Sequence, residues 1–309
     1  MSNLAAPTIL AISAGIPRGP FGLAIAAALT GIAVFLLLLA WPVAKQTTLI
    51  GPWLWCLGGV SGLGLVEISL QCQEAAAPWL LAARFIAGAL TLCPSVAVLG
   101  AKRPQNRAWN FVVLALWGIM SLPSMLSLTL GRGTGYQLAD LRGAILWVLI
   151  LLPALNYVPT RFVWGSLLVV LGEVILFAEN LPLLGRPLLE TDPGLVSLGC
   201  FAAAAFVIWT TPARAPRVRH SLDHCWLAFR DLFGLFWGLR VQERVNAAAA
   251  QNGWPFYLSW SGFRDIDHHR LLVAIPPAYE RALKQTLTGL LRRFVSAAWI
   301  AAQRPQGID

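Results

Sequence analysis

The sequence predicts an all-α polytopic membrane bundle of about seven transmembrane helices, with a small C-terminal α+β cytosolic domain. Hydrophobic residues make up 57% of the 309 residues and charged residues only 12%, which is about half the charged share of an ordinary soluble domain. The apolar residues also form runs of about 20, the length needed to cross the hydrocarbon core of a bilayer. The lipid bilayer is therefore the expected main partner of this chain.

Seven apolar segments are long enough to be interpreted as membrane spans. The first carries no charged residue, is too long for the apolar region of a signal peptide, and is not followed by a cleavage site. The fifth and sixth are separated only by Arg161, so a tight hairpin or one broken segment is an alternative there. The predicted spans are 21–44, 48–70, 76–99, 109–130, 143–160, 162–179 and 194–211.

The spans divide the chain into four regions. We interpret residues 1–20 as a flexible N-terminal tail, and residues 21–211 as the transmembrane helical bundle. Residues 212–219 form a basic juxtamembrane linker. Residues 220–309 then form a cytosolic domain with the order helix, strand, strand, helix.

The orientation follows from the Lys and Arg residues of the short connections, which favour the cytoplasmic side. With the C-terminus inside, the inner connections hold Lys45, Lys102, Arg103, Arg107, Arg161, Arg214, Arg217 and Arg219. The outer ones hold Arg18, Arg132, Arg142 and Arg186. An odd number of spans then places the N-terminus outside. Arg outnumbers Lys by 20 to 3, a bias typical of GC-rich bacterial genomes, so we expect the plasma (inner) membrane of a bacterium.

The cytosolic domain is predicted to carry more apolar surface than it can bury alone. A helix from Ser221 to Gly253 precedes a strand at 254–260, a turn at 262–267 and a second short strand at 271–275. Pro276 and Pro277 open a final helix that runs to about Ala301. Because two helices and two strands make a thin core, we expect this domain to lean on the membrane, on the bundle or on a second copy. Any apolar surface left over is expected to dock a protein partner, to self-associate or to bind the membrane surface.

Three ionisable residues lie within the predicted spans: Glu67, Arg84 and Glu173. Glu67 is near the outer end of its span and is expected to reach the headgroups. Arg84 and Glu173 lie at similar depth, and a charge in the bilayer costs at least about 2.5–3.5 kcal/mol. The sequence therefore predicts an intramembrane charged pair of Arg84 and Glu173, acting either as a structural clamp or within a transport path.

The remaining candidate residues lie beyond the last span. Arg214, Arg217 and Arg219 are expected to contact anionic lipid headgroups, and no recognition motif for nucleic acid accompanies them. A metal site would need two separate segments to meet, and solvated polar side chains are the simpler interpretation. The weak candidates for such a site are His220, His224, His268 and His269.

No set of catalytic residues is visible, and no cofactor is predicted. The last span lacks the Lys of a retinal Schiff base, the spans lack His ligands for haem, and neither GxxxxGK[ST] nor GxSxG occurs. The first hypothesis is a non-enzymatic scaffold or accessory subunit that uses its cytosolic domain for docking. The second is a small-molecule transporter or channel that uses Arg84 and Glu173. The third is a membrane enzyme acting on lipid-linked substrates.

The charge bias predicts that a reporter fused after Thr211 is active in the cytoplasm and that one fused before Phe21 is active outside, because cationic connections remain inside. Paired reporter fusions in the full chain measure both positions. External activity of the fusion after Thr211 would reverse the orientation.

Overall fold

The computed structural model describes residues 19–73, 78–130, 139–184, 188, 192–212, 221–272 and 274–303, and these are mostly helical. Most of the predicted N-terminal tail and of the basic linker lies outside the described residues, and so do Arg214, Arg217, Arg219 and His220.

Helices α1–α9 form the bundle, and prolines mark several of their boundaries. Pro94 occupies the first turn of α5 and divides the third predicted span into two helices, because proline supplies no backbone N–H. The helices are α1 Pro20–Leu39, α2 Trp41–Ala44, α3 Ile50–Gln71, α4 Pro78–Thr91, α5 Cys93–Leu99, α6 Gln105–Leu130, α7 Ala139–Tyr157, α8 Val163–Phe177 and α9 Pro193–Thr210.

Six helical segments of the described residues are long and apolar enough to cross a membrane. They are Pro20–Leu39, Ile50–Gln71, Trp79–Leu99, Gln105–Leu126, Val163–Asn180 and Pro193–Thr210. The predicted fifth span corresponds to α7, whose apolar part, Arg142–Tyr157, is shorter. A bend and turn at residues 158–162 separate α7 from α8, so these two predicted spans are not one continuous helix.

The C-terminal domain packs on one end of the bundle, which we call the domain face. The α2–α3 connection bonds to it through Thr48 N and Phe294 O at 2.8 Å, and the α5–α6 connection through Arg103 N and Arg293 O at 2.9 Å. The α7–α8 connection contributes Pro159 O, which accepts from the indole N–H of Trp260 at 2.9 Å. Connections from three parts of the bundle therefore meet the domain at the same end.

The opposite end of the bundle, the far face, holds the start of α7 and the end of α8. At Gly143 in α7, an added Cβ would lie 2.5 Å from Pro182 Cδ, just beyond α8. Tyr157, the last residue of α7, donates a hydrogen bond from its hydroxyl to Leu232 O of the domain at 3.1 Å. Helix α7 thus extends from the far face to the domain face.

The C-terminal domain contains α10 Ser221–Gln251, β1 Phe256–Ser259, β2 Gly262–Asp265, α11 Pro277–Leu291 and α12 Ala297–Ala302. The strands pair antiparallel, with Phe256 opposite Asp265 and Ser259 opposite Gly262. The predicted second strand at 271–275 is wrong, because Gly262 at φ +125° permits a tight hairpin whose return strand occupies the predicted turn. Leu271 forms only an isolated bridge with Arg264.

The predicted final helix is also two helices. Helix α11 begins after Pro276, as predicted, and ends at Leu291. Ser296 then caps α12, because its hydroxyl accepts from Trp299 N at 3.1 Å. The break lets Phe294 and Val295 turn towards the α2–α3 connection, where Val295 pairs with Thr47.

Much of the apolar surface of this domain is covered in the structure. Leu283, Leu287 and Leu291 of α11 are buried, and so are the strand residues Phe256 and Leu258. They share one core with aromatic residues of α10 and with Val98 and Ala101 of the bundle. Of the three expected supports, which are the membrane, the bundle and a second copy, the structure shows the bundle covering part of this core.

Helix α10 is interrupted at Gly234, which has φ +73° and ψ −165°, a conformation that is essentially restricted to glycine. Asn156 of α7 satisfies the backbone at this break: its Nδ2 donates to Phe233 O at 3.4 Å, and its Oδ1 accepts from Phe236 N at 3.1 Å. The interruption is therefore held by the last turn of α7.

We predict that Gly234→Ala lowers the free energy of unfolding by at least about 1–3 kcal/mol, the usual cost of a strained backbone conformation. The added Cβ would also lie 2.4 Å from Asn156 Nδ2. Chemical unfolding of the full chain in detergent measures this loss. The matched control is Gly289→Ala in α11, where an added Cβ meets nothing within 4 Å, and it should leave stability unchanged or raise it. Equal effects of the two substitutions would contradict the role of Gly234.

Candidate functional site

The bundle contains a cavity of about 370 Å³ that opens between several of its helices. Val60 of α3, Glu173 of α8 and Phe201 of α9 line it in the middle of the bundle. At the domain face, Asn156 and Leu232 line it beside the interruption of α10. Its volume lies within the range of small-molecule sites, about 300–1,000 Å³.

Most polar side chains on the cavity wall are already bonded within the protein. The hydroxyl of Thr91 donates to Gly88 O at 2.7 Å, that of Ser95 to Leu92 O at 2.6 Å, and that of Ser166 to Val163 O at 2.9 Å. Asn156 and Tyr157 are occupied by α10. These groups therefore offer an entering molecule few free donors.

Glu173 is the exception on this wall. Its exposed fraction is 1%, and its Oε2 is buried without a hydrogen-bond partner among the described residues. Of the described residues that line the cavity, Glu173 alone carries a carboxyl or a basic group. At 1.5 Å per residue, it lies about 15 Å along α8 from the first residue of that helix and about 6 Å from the last, and so inside the bundle and away from the domain face.

The Glu173 carboxyl therefore needs a hydrogen-bond donor or a cation at Oε2. A buried polar group without a partner costs several kcal/mol, and an ionised one costs more. Ionisable residues inside a bilayer normally face a cavity or a partner and mark functional positions. A cation or a hydrogen-bond donor that enters the cavity would satisfy this oxygen.

A second cluster, which we call the arginine clamp, joins α3, α4 and α9 towards the far face. Arg84 Nε lies 2.7 Å from Glu67 Oε1, and its Nη2 lies 2.8 Å from Glu67 Oε2. The same Nη2 lies 2.6 Å from Asp192 Oδ1. Gln71 Nε2 donates to Asp192 Oδ2 at 3.3 Å. The bidentate geometry is the strong form of a guanidinium–carboxylate contact.

Asp192 also caps α9, because its Oδ1 accepts from Gly194 N at 3.1 Å. Glycine is needed at position 194, since an added Cβ would lie 2.0 Å from Glu67 Oε1. The arginine clamp therefore fixes the start of α9 against α3. Within it, the positive charge of Arg84 offsets part of the negative charge of Glu67 and Asp192.

The clamp corrects the predicted pairing of Arg84 with Glu173. The partners of Arg84 are Glu67 and Asp192, and Glu67, which was expected to reach the headgroups, has an exposed fraction of 0%. Glu67 lies four residues before the end of α3, and Arg84 lies six residues after the start of α4. Because a short connection joins these antiparallel helices, the two side chains reach the same depth. The short connection was visible in the sequence and could have identified this pair.

Three of the four histidine candidates, His224, His268 and His269, lie within the described residues. His268 Nδ1 lies 3.4 Å from Asp265 Oδ1, and His269 Nδ1 lies 3.1 Å from the Tyr257 hydroxyl. The backbone N–H groups of His268 and Asp267 hold the pKa of the Asp265 carboxyl below its usual value. The neighbour of His224 in α10, Asp223, accepts from Phe263 N at 2.9 Å. Within the described part of the chain, no three His, Cys, Asp or Glu residues are grouped to hold a metal ion.

Comparison with known protein families, with characterised proteins and with solved structures finds no match to this chain. The functional argument therefore depends on the geometry of the cavity and of its surroundings.

We predict that Arg84 is energetically coupled to Glu67 and not to Glu173. Loss of one member of a buried ion pair costs about 3–5 kcal/mol, so Arg84→Gln should be strongly destabilising. Once Glu67→Gln is present, the further cost of Arg84→Gln should be much smaller. Double-mutant cycles of unfolding in detergent measure both couplings. The Arg84–Glu173 cycle serves as the control and should be additive, and a larger coupling in that cycle would reverse the assignment.

Proposed function

We propose that this protein is a membrane transporter that binds a lipophilic amine in the bundle cavity, with Glu173 as the anchor of the ammonium group. The observation that carries this proposal is the Glu173 carboxyl, which is buried on the cavity wall with Oε2 lacking a partner among the described residues. An ammonium group supplies both the opposite charge and the N–H donors that this oxygen lacks.

The rest of the wall matches the remainder of such a ligand. The cavity is lined mainly by Ala, Val, Leu, Phe and Pro side chains, which favour an apolar body through the hydrophobic effect. Sites for small molecules generally combine an apolar wall with a few convergent polar groups that set orientation. Here the one ionisable group on the wall is the Glu173 carboxyl, which would orient the ammonium group.

The placement of the bundle relative to the membrane is part of the proposal. We infer seven crossings, because α7 extends from the far face to the domain face like its neighbour α8. We place the domain face in the cytoplasm, since Lys45, Lys102, Arg103 and Arg161 belong to connections at that face and cationic connections favour the inside. The N-terminus is then outside.

Arg84 has a structural role in this proposal. Its guanidinium group is occupied by Glu67 and Asp192, and it does not line the cavity. The transport path of the second sequence hypothesis is therefore retained with Glu173 and without Arg84.

The scaffold hypothesis has less support than the transporter hypothesis. It rests on the absence of catalytic groups and on the thin, amphipathic C-terminal domain, and the leucines of α11 in that domain are buried in one core with α10 and the bundle. This domain instead lies across the cytoplasmic end of the cavity, where Leu232 lines the wall. We propose that it controls access to the cavity from that side.

We predict that Glu173→Gln weakens binding of a fluorescent lipophilic amine by about tenfold or more, because a hydrogen bond to a charged group contributes about 1.5–3 kcal/mol. Binding to the purified full-length protein in nanodiscs measures affinity, and uptake into proteoliposomes measures transport.

The matched control is Glu179→Gln, which removes the same charge from an exposed residue six positions further along the chain. Equal binding by the wild-type protein and Glu173→Gln, with both proteins folded, would reject Glu173 as the anchor. Binding without uptake would keep the site but reduce the protein to a receptor for the amine.

A further inference from the structure

A second cleft, of about 590 Å³, lies between the membrane bundle and the C-terminal domain. Lys102 of the α5–α6 connection forms one side of it. Arg240 and Arg244 of α10 form the second side, and Arg293 at the end of α11 forms the third. The backbone bond from Arg103 N to Arg293 O, at 2.9 Å, fixes the first side against the third. We call this site the basic cleft.

The basic cleft holds four cationic side chains and one carboxylate, that of Glu243. Within the described ranges of the chain, no ion pair involves Lys102, Arg240, Arg244 or Arg293. Arg240 instead lies over the ring of Trp237, with its Cζ 4.9 Å from the ring centroid. Like charges gathered in one concavity repel each other and favour an anion between them.

The depth of the cleft points to the membrane–water boundary. Lys102 lies between α5, which ends at Leu99, and the apolar segment that begins at Gln105. The indole N–H of Trp237 donates to Val98 O of α5 at 2.8 Å, so this part of α10 also lies at the end of a membrane helix. Trp237, Leu290 and Phe294 also line the cleft, and Trp237 and Phe294 are almost fully buried.

We propose that the basic cleft binds a phosphate group, and that an anionic phospholipid of the membrane supplies it. Guanidinium groups form paired hydrogen bonds with phosphate oxygens, which accounts for Arg240, Arg244 and Arg293 at one site. The position of the cleft beside the end of α5 places it at the height of lipid headgroups. A soluble phosphate compound shares the headgroup chemistry, and the experiment distinguishes the two sources.

The test uses the full-length protein in a neutral detergent. Three probes are titrated, and each is followed through the shift of the thermal unfolding midpoint: a short-chain phosphatidylglycerol, the phosphatidylcholine of equal chain length, and inorganic phosphate. We expect phosphatidylglycerol to raise the midpoint and phosphatidylcholine to leave it unchanged, with an effect that weakens as salt screens the charges.

The variant Arg240→Gln/Arg244→Gln should weaken the phosphatidylglycerol response by about tenfold or more, and Arg293→Gln provides an independent second variant. These side chains are exposed, so folding should persist. Arg281→Gln/Lys284→Gln, on the exposed surface of α11 outside the cleft, removes the same charge and should bind normally.

The three titrations distinguish a membrane phospholipid from a soluble phosphate compound as the source of the phosphate group. A response to inorganic phosphate that matches the response to phosphatidylglycerol would keep the phosphate site but overturn the lipid as its source. No response to either anion, or an equal loss in the control pair, would overturn the site itself.

Discussion

A short helix–hairpin–helix unit cannot cover its own apolar surface in water, and in this protein the end of a membrane bundle covers it. The aromatic residues of α10 and the leucines of α11 share one core with Val98 and Ala101. Hydrogen bonds at Thr48, Arg103 and Pro159 tie this core to connections of the bundle. The hydrophobic effect supplies the driving force for this packing, while the backbone bonds determine where the domain can lie.

The packing of the C-terminal domain on the bundle shapes both candidate ligand sites. Gly234 interrupts α10, and Asn156 of α7 accepts and donates the hydrogen bonds that the interruption leaves unmet. The residues on either side of the interruption then serve different sites: Leu232 lines the bundle cavity, and Trp237 lines the basic cleft. A shift of α10 relative to the bundle would therefore move residues of both sites. Through this helix, a lipid bound in the basic cleft as proposed would alter the bundle cavity.

The ionisable side chains inside the bundle are of two kinds, those that pair with each other and one that lacks a partner among the described residues. Arg84, Glu67 and Asp192 satisfy one another and fix three helices, so they have little left to offer a ligand. Glu173 has an unmet oxygen and faces a cavity. An unpaired polar group in a membrane interior is destabilising, and this cost is the basis for the proposal that Glu173 binds a ligand.

The sequence by itself determined that this is a membrane protein, most of its apolar helices and the start of α11, because these depend on local runs of apolar residues and on Pro276 and Pro277. It also identified Arg84 and Glu173 as the ionisable residues that need explanation.

Only the tertiary structure determined which residues these and other side chains contact. Arg84 meets Glu67 because α3 and α4 are antiparallel neighbours, and the apolar stripe of α11 is buried because a distant part of the chain packs on it. The return strand at Gly262–Asp265 depends on a single glycine conformation that the apolar pattern did not reveal. Depth in the membrane can be counted along one helix, but side-chain partners depend on how helices are arranged around each other, and hydropathy does not encode that arrangement.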